Sequence, residues 1–360
     1  MFIERTSVGL DVHARTTVGA AIDERTGELV QRRMGADTDE IVAWVTSLPG
    51  PVAVTYEAGP TGFGLARALT AAGVRAVVAA PSKLQRPVGD RVKTDMRDAV
   101  HLARLLRLGE VVEVTVPSIE VESARDLVRA REDARGDLMS ARHRVSKLLL
   151  RQGIQYSGGK AWTVAHQAWL RSQRFELVGL QAAFDAAYDA MIATVDRRDR
   201  LDVAIAAMAA DSEFSPVVDR LCCLRGVSTL TGFALAVEIG DWTRLDGRCI
   251  GSYVGLTPSE NSSGASRTLG GITKTGNGHA RRLLIEAAWH HRPTYRPSSP
   301  IMRARWDRAS AEARARGHAG NQRLHQRWQT FQLRKKRTVV ANAAIARELA
   351  GWCWSLAVMT

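Results

Sequence analysis

The chain has 360 residues, 45% of them apolar, which favours a globular protein of two or three domains. It carries 50 Lys and Arg residues against 37 Asp and Glu residues, a formal charge of +13. An excess of this size indicates a polyanionic partner, and nucleic acid is the first candidate.

Three features of the sequence predict a cytoplasmic location. The opening stretch MFIERTSVGLDVH lacks the basic, apolar and small-residue segments of a secretion signal. No apolar run approaches the length needed to cross a membrane, so no membrane partner is expected. The four cysteines, Cys222, Cys223, Cys249 and Cys353, form neither a CxxC pair nor a disulfide framework, so we expect reduced and mostly buried thiols.

Strand and helix signals alternate from the N-terminus to about residue 110. The stretches SVGLDVHARTTVGAAID and GELVQRRMGAD are typical of neighbouring strands joined by turns. TDEIVAWVTSL and TGFGLARALTAAG have helical spacing, whereas PVAVTYEAG and VRAVVAAPS read as strands. This alternation predicts an α/β domain with a mixed sheet over residues 1–115.

Residues 116–212 have the character of long helices. In the first of them, apolar residues follow a 4-3-4-3 spacing at Ala134, Leu138, Ala141, Val145 and Leu148. A second helix, from Leu177 to Met208, continues the pattern beyond a turn at Gly158 and Gly159. The spacing indicates a helical coiled-coil spacer, which can pair helices of one chain or of two subunits; two ordinary bundle helices fit equally well.

The third part, residues 213–360, is predicted to be mainly helical. A Gly-containing turn from Arg225 to Ser228 lies between two helical runs, as in helix-hairpin-helix modules that approach phosphates; a simple corner between helices is the alternative. The segment GLTPSENSSGASRTLGGITKTGNGHARRLL is predicted to be a loop leading into a helix. The tail from Arg296 to Arg337 is strongly basic, with Asp307 and Glu312 as its acids.

Two aspartates stand one helical turn apart in KTDMRDAV. Asp95 and Asp98 share one face of a predicted helix and repel each other unless something positive lies between them. A helix start is the simpler explanation, since acids there complement the helix dipole. Two further acids change this balance. Asp11 lies mid-strand in VGLDVH, on the face opposite Val8, Leu10 and Val12, and Glu57 ends the strand VAVTYE.

These four acids together indicate a metal site. A charged residue inside a central strand is unusual unless it is paired or binds metal. Acids on a first strand, at the end of a later strand and on a following helix are the arrangement of RNase H-like nucleases. We predict Mg²⁺, or Mn²⁺ as a substitute, at Asp11, Glu57, Asp95 and Asp98, with Asp90 as a less well placed alternative. Two such ions about 4 Å apart can clamp a phosphodiester.

The motifs GLDVH, YEAGP and KTDMRDA resemble the D-E-D-D motifs of bacterial insertion-sequence transposases related to the Piv and MooV DNA invertases, described as bridge-RNA-guided recombinases. LRGVSTLTGFALAVEIGDWTRLDG, IGSYVGLTPSENSSG and ITKTGNGHARRLL resemble the C-terminal transposase domain of that family. These motifs cover most of the chain in the expected order. The tail after Arg296 is the least family-like part.

The resemblance implies a RuvC-like N-terminal domain, a coiled-coil spacer and a C-terminal domain whose serine attacks DNA. It implies catalytic roles for the tetrad Asp11, Glu57, Asp95 and Asp98 and for the nucleophile Ser263, with Ser262 and Ser266 as neighbouring alternatives. A non-coding guide RNA that pairs with donor and target DNA is an expected partner, although no RRM or KH signature indicates RNA binding independently. A homo-oligomer, dimer or tetramer, is also expected.

The expected reaction uses both the acidic tetrad and the nucleophilic serine. A serine hydroxyl is a weak nucleophile, and GLTPSENSSGASRTLGG offers no histidine to activate it, so we expect tetrad-bound Mg²⁺ to assist Ser263 in a composite site. A phosphoserine link conserves phosphodiester energy, and no GxxxxGK[ST] loop for ATP is present. Phosphate contacts are expected from Arg267, Lys274, Arg281 and Arg282; for the arginines, a solvated helix face is the alternative.

Three other functions fit parts of the pattern. A metal-dependent DNA endonuclease of the junction-resolvase type would use the same tetrad with water as the attacking group. A non-enzymatic nucleic-acid-binding protein would use the basic surface alone, with the acids as structural residues. A site-specific DNA invertase would share the serine chemistry.

Overall fold

A computed structural model describes residues 4–84, 94–263, 266–297 and 299–359. The chain divides into two compact units, residues 1–118 and 119–360. The three predicted domains, with boundaries after residues 115 and 212, remain a prediction. In the described ranges, no helix is both long and apolar enough to span a membrane.

The first unit is built on a five-stranded mixed sheet. The elements of this unit are β1 Thr6–Val12, β2 Thr16–Asp23, β3 Leu29–Gly35, α1 Thr38–Thr46, β4 Val52–Glu57, α2 Gly64–Ala71, β5 Arg75–Ala79 and α3 Asp95–Leu108. The strand order is β3-β2-β1-β4-β5. The pairs β1–β2 and β2–β3 are antiparallel, whereas β1–β4 and β4–β5 are parallel. The predicted mixed α/β sheet is confirmed, and the architecture is consistent with an RNase H-like transposase.

Alternating residues of β1 face different helices. Val8 and Leu10 belong to a core shared with α1 and α2. On the opposite face, α3 packs through Ala99 against Val18 and Ala20 of β2. Because side chains alternate along a strand, Asp11 lies on the α3 face, as the sequence predicted.

The second unit begins with a helical hairpin. Its first helices are α4 Ile119–Arg151, α5 Val164–Arg171 and α6 Val178–Ala210. All five residues of the 4-3-4-3 pattern in α4 are buried, so the pattern correctly marks the buried face of this helix, whereas the coiled-coil spacer remains a prediction. These residues pack within the chain against α6, where Phe184, Met191 and Ile205 are buried. Leu177 was wrongly included in this seam, because it precedes α6 and its side chain is exposed.

The rest of the second unit packs around one buried helix. The remaining elements are α7 Ser215–Leu221, α8 Thr229–Ile239, α9 Ile250–Tyr253, β6 Pro258–Ser263, β7 Ser266–Ile272, α10 Gly278–Ala288, α11 Pro300–Trp306, α12 Ala311–Leu333 and α13 Thr338–Ala357. Every residue of α8 from Gly232 to Ile239 is buried, which agrees with its almost wholly apolar sequence. The predicted turn between two helices is confirmed: it joins α7 to α8, and Gly226 has a φ of 84° there.

Candidate functional site

Asp11 and Glu57 occupy adjacent positions at the ends of two parallel strands. Leu10 pairs with Tyr56 in the β1–β4 register, so Asp11 and Glu57 are the next residues along each strand. Leu10 and Tyr56 both face the core beneath α1 and α2. The carboxyl groups of Asp11 and Glu57 therefore leave the sheet on the other face, which α3 covers.

Gly9 allows α3 to lie directly on β1. A Cβ atom at Gly9 would come within 2.1 Å of the carbonyl oxygen of Ala99 and 2.4 Å of the amide nitrogen of Ala103. This close approach is possible only without a side chain. It brings the first turn of α3, which contains Asp95 and Asp98, to the end of β1 that carries Asp11.

Three side chains converge at this end of the sheet. His13 Nε2 lies 3.2 Å from Asp11 Oδ2 and 3.9 Å from Asp95 Oδ1. One ligand atom from each of Asp11, His13 and Asp95 falls within 4.8 Å of the others. Glu57 and Asp98 are not part of this three-residue cluster. Asp98 nevertheless acts electrostatically on Asp11.

His13 and Arg33 were not predicted as site residues. His13 lies two residues after Asp11, which is a local signal for a side chain on the same face. Arg33 approaches from β3, and its Nη2 lies 3.8 Å from Asp95 Oδ2. Its position depends on two strand pairings, Asp11 with Val18 and Val18 with Arg33, which no local pattern reveals.

The cluster contains both repulsive and attractive charges. Burial raises the pKa of Asp11, and the positive field and hydrogen bond of His13 oppose this effect. The charges of Asp95 and Asp98 raise the same pKa further. The carboxylates thus repel one another, and the guanidinium of Arg33 and the hydrogen bond of His13 relieve part of this repulsion.

The donor set fits a divalent cation. Carboxylate oxygens are the ligands that Mg²⁺ and Mn²⁺ prefer, and Asp11 and Asp95 present one oxygen each within the cluster. The imidazole of His13 suits Mn²⁺ better than Mg²⁺, because Mg²⁺ takes oxygen ligands. Asp90, the alternative ligand, lies outside the described residues.

The predicted loop around Ser263 is instead an antiparallel hairpin, so that prediction was wrong. β6 and β7 pair from Pro258 with Ile272 to Ser263 with Ser266, and both strands are exposed. The Gly and Ser content suggested a loop, but cross-strand hydrogen bonding outweighs the low strand propensity of glycine. Ser263 and Ser266 lie at the tip of the hairpin and are exposed to solvent.

Two glycines anchor the base of this hairpin. A Cβ atom at Gly255 would lie 2.2 Å from the carbonyl oxygen of Thr275, and one at Gly276 would lie 1.9 Å from that of Tyr253. Both residues have positive φ angles, 65° and 69°. The GLTP and TKTGNGH segments therefore pass each other with their backbones in contact.

Neighbouring serines at the hairpin tip have different partners. Ser262 Oγ donates a hydrogen bond to Glu260 Oε1 at 2.8 Å, and Arg267 Nε donates to the same oxygen at 3.0 Å. These two interactions lower the pKa of Glu260. Among the described residues, no hydrogen bond engages the hydroxyl of Ser263, which leaves it available to a substrate.

The four predicted phosphate-binding residues differ in availability. Lys274 is exposed, whereas Arg267 is tied to Glu260 although its side chain is 70% exposed. Arg281 donates to the carbonyl oxygens of Val254 and Thr275, so it supports the hairpin base. Arg282 pairs with Glu132 and Glu286. Lys274 and Arg267 are therefore the better placed of the four to reach a phosphate.

A buried carboxylate organises the segment that follows the hairpin. Glu238 of α8 is 2% exposed and accepts hydrogen bonds from Arg129 of α4, Asn277 and His279. Burial alone would raise the pKa of Glu238, but these hydrogen bonds outweigh it and lower the pKa to about 2. Glu238 was not predicted as a site residue, because a single acid within an apolar helix has no local partner.

Two family models match the chain. The IS110-type DEDD transposase model matches residues 8–153, which include the acidic cluster. The model described as the IS116/IS110/IS902 transposase family matches residues 218–306, which include the hairpin. The DEDD motif implies the use of a divalent metal ion.

Named transposases resemble the chain along nearly its whole length. The y4qE protein of Sinorhizobium fredii, which is named a transposase, is 36% identical over 97% of this chain and 88% of its own length. The transposase for insertion sequence element IS1533 of Leptospira borgpetersenii is 31% identical over 92% of this chain and 97% of its own. The chain therefore belongs to the IS116/IS110/IS902 family of transposases and is an enzyme of DNA transposition.

Proposed function

We propose that this transposase cuts and rejoins DNA at the ends of an insertion sequence through a phosphoserine intermediate. In this proposal Asp11, Glu57, Asp95 and Asp98 hold a divalent cation, Mg²⁺ or Mn²⁺, and Ser263 is the nucleophile. The observation that carries the proposal is the convergence of Asp11 and Asp95 beside His13, with ligand atoms within 4.8 Å.

The acids of the first unit would supply the ligands of the cation. Asp11 and Asp95 each offer an oxygen, Glu57 stands next to Asp11 in the strand register, and His13 holds Asp11 by a hydrogen bond. When bound, the cation supplies Lewis-acid stabilisation of charge on a phosphoryl oxygen and lowers the pKa of a hydroxyl group. Arg33 Nη2 lies 3.8 Å from Asp95 Oδ2, where its charge would offset part of the repulsion between the carboxylates.

The serine reaction conserves one phosphodiester bond. The Oγ–phosphorus bond forms as Ser263 loses its proton to a base, and the bond from phosphorus to the departing deoxyribose oxygen breaks as that oxygen gains a proton. Rejoining reverses these changes with a hydroxyl of another DNA end. No nucleotide hydrolysis is needed, because the phosphoserine retains the energy of the original bond.

We also propose a finer organisation of the protein, which the basic charge and the long helices support. The first unit would be a RuvC-like domain, α4 and α6 would form a coiled-coil spacer, and the active form would be a dimer or tetramer. A guide RNA encoded by the element would choose donor and target sites. The net charge of +13 suits either nucleic acid.

A search for a covalent protein–DNA adduct tests the proposal. Purified protein is incubated with Mg²⁺, element-junction DNA and the RNA transcribed from the flanking non-coding segment, then separated on denaturing gels. An adduct that Ser263→Ala abolishes and EDTA prevents would support it. Ser262→Ala and Ser266→Ala serve as matched controls and should retain the adduct.

Two outcomes would contradict the proposal in different ways. Cleavage without an adduct, unchanged in Ser263→Ala, would assign the acidic cluster to a hydrolytic nuclease of the junction-resolvase type. An adduct that depends on Ser262 instead of Ser263 would move the nucleophile to the hydroxyl that donates to Glu260. A reaction without the RNA tests whether a guide RNA is required, because an RNA-guided enzyme should then form no adduct.

A further inference from the structure

The second unit contains a large groove beside the base of the β6–β7 hairpin. Its volume is about 1210 Å³, and its walls come from α9, α10, α12, α13 and the hairpin base. Pockets for small molecules typically measure roughly 300–1,000 Å³, so this groove suits a larger ligand. We call it the basic groove, after the residues that line it.

The basic groove is strongly positive, because its charged lining residues are nearly all cations. Its cations are all exposed, and they are Arg248, Lys274, Arg316, Arg327, Lys336 and Arg347. Among the described lining residues, the only acid is Glu348, which pairs with Arg323 at 3.1 Å and with Arg327 at 3.5 Å. A surface with this balance attracts a ligand that carries several negative charges.

Flat ring surfaces lie among these charges. Trp289 lines the groove and is 37% exposed. The guanidinium of Arg316 stacks over the ring of Trp352 with its carbon 4.3 Å from the ring centroid. Exposed aromatic faces and stacked guanidinium planes beside cations are the features on which unpaired bases stack. A duplex offers no free base face along its length, so this surface favours a single strand.

One inner wall of the groove has an unused hydrogen-bonding atom. Asn342 of α13 is 1% exposed, and its Nδ2 donates to the carbonyl oxygen of Ile285 at 2.9 Å. Among the residues that the structure describes, its Oδ1 has no hydrogen-bond partner. A buried polar atom without a partner is costly, and a base amino group in the groove would satisfy it once the Asn342 side chain turns towards the groove.

We propose that the basic groove binds an unpaired segment of DNA, with phosphates on Arg248, Lys274 and Arg347 and bases stacked on Trp289 and the Arg316–Trp352 pair. The choice of DNA over RNA rests on the proposed function. Pro258, Gly270 and Ile272 at the base of the Ser263 hairpin form part of the wall. We therefore expect a strand held here to run along the hairpin towards Ser263.

Fluorescence anisotropy with a labelled single-stranded DNA 12-mer tests the phosphate contacts. The double variant Arg248→Gln/Arg347→Gln should raise the Kd at least about tenfold. The slope of log Kd against log salt should fall by about 1.4, because each lost phosphate contact on a single strand removes about 0.7. The matched control Arg25→Gln/Arg151→Gln removes the same charge from exposed positions outside the groove and should bind as the parent does.

A second variant tests base stacking. Trp289→Leu should weaken binding of the 12-mer at least about fivefold, while binding of an abasic 12-mer should be equal for the variant and the parent. Equal losses for both oligonucleotides would overturn the stacking assignment. An unchanged Kd in the arginine double variant would overturn the groove itself.

Two further oligonucleotides identify the ligand. A duplex 12-mer should show a smaller difference between parent and groove variant than the single strand does; an equal difference would overturn the preference for an unpaired strand. An RNA 12-mer that alone depends on the groove would overturn the choice of DNA. All binding is measured in EDTA with the Ser263→Ala chain, so failure of the serine chemistry would leave these results unaffected.

Discussion

Gly9 of β1 and Ala99 of α3 are in backbone contact, and this contact sets the position of two acids of the candidate metal site. A Cβ atom at Gly9 would come within 2.1 Å of the Ala99 carbonyl oxygen. Asp95 stands about one turn before Ala99, and Asp98 directly precedes it on the same helix. Any residue larger than glycine at position 9 would push these acids away from Asp11.

Replacing Gly9 with alanine should therefore damage both stability and metal binding. We expect Gly9→Ala to lower the free energy of unfolding by about 1–3 kcal/mol, the usual cost of overpacking, and to abolish protection by Mn²⁺. Urea unfolding with and without Mn²⁺ measures both effects. Gly136→Ala is the control, because a Cβ there meets nothing within 4 Å and the helix should gain about 0.5–1 kcal/mol. An unchanged Gly9→Ala protein would refute the packing argument.

Asp95 should be needed for the cation. At a Mn²⁺ concentration 100 times the Kd, the parent should gain about 2.7 kcal/mol of stability, seen as a rise in Tm. Asp95→Asn should lose most of this rise, since the amide keeps the shape of the carboxylate without its charge. Asp39→Asn, an exposed acid in the first turn of α1, should keep it in full. Equal Tm shifts in the two variants would exclude Asp95 as a ligand.

His13 should favour Mn²⁺ over Mg²⁺ at the candidate metal site. Its Nε2 lies within reach of both Asp11 and Asp95, and imidazole ligands suit Mn²⁺ better than Mg²⁺. We expect His13→Ala to weaken Mn²⁺ binding more than Mg²⁺ binding, as measured by isothermal titration calorimetry. If both affinities fall equally, His13 acts only by orienting Asp11 through their hydrogen bond.

Glu238 should make stability depend on acid pH. Its pKa is about 2 in the folded protein, against an ordinary value of 4.5. Because the folded pKa is lowered, the contribution is complete above pH 4.5, about 3 kcal/mol, and is lost as the pH falls towards 2. Glu238→Gln should cost about this amount at pH 7, and the difference from the parent should narrow below pH 4.5.

Urea unfolding between pH 7 and pH 3 measures this difference. Glu176→Gln, an exposed acid of the same unit, should match the parent at every pH. A gap between the Glu238→Gln variant and the parent that stays constant down to pH 3 would mean that the hydrogen bonds of Glu238 do not depend on its ionisation.

The thiols should divide into one accessible and three protected groups. Burial raises the pKa of Cys222 to about 11 and that of Cys223 and Cys353 to about 12, and all three are buried. Cys249 is exposed. A thiol reagent at pH 8 should label one thiol in the folded protein and four in denaturant, and Cys249→Ser should abolish the native labelling. Rapid native labelling of a second cysteine would show that the core around α8 opens readily.

Local patterns in the sequence were sufficient to predict the strands and helices of the first unit and the direction of several side chains. Strand alternation correctly placed Val8 and Leu10 opposite Asp11, because successive side chains of a strand point to opposite faces. The 4-3-4-3 spacing correctly identified the buried face of α4. The hairpin around Ser263 was missed, since pairing with a neighbouring strand overrode its Gly- and Ser-rich composition.

The sequence by itself determined the acidic residues, the basic charge and the order of strands and helices in the first unit, because each depends on residue type and short-range spacing. Tertiary structure alone decided that Asp11 stands beside Glu57, that Arg33 reaches Asp95 and that Glu238 meets Arg129. It also gathered Arg248 and Arg347, about a hundred residues apart, into one groove. Contacts between residues so distant in sequence depend on strand register and helix packing. Register and packing are set in turn by burial of the whole hydrophobic core.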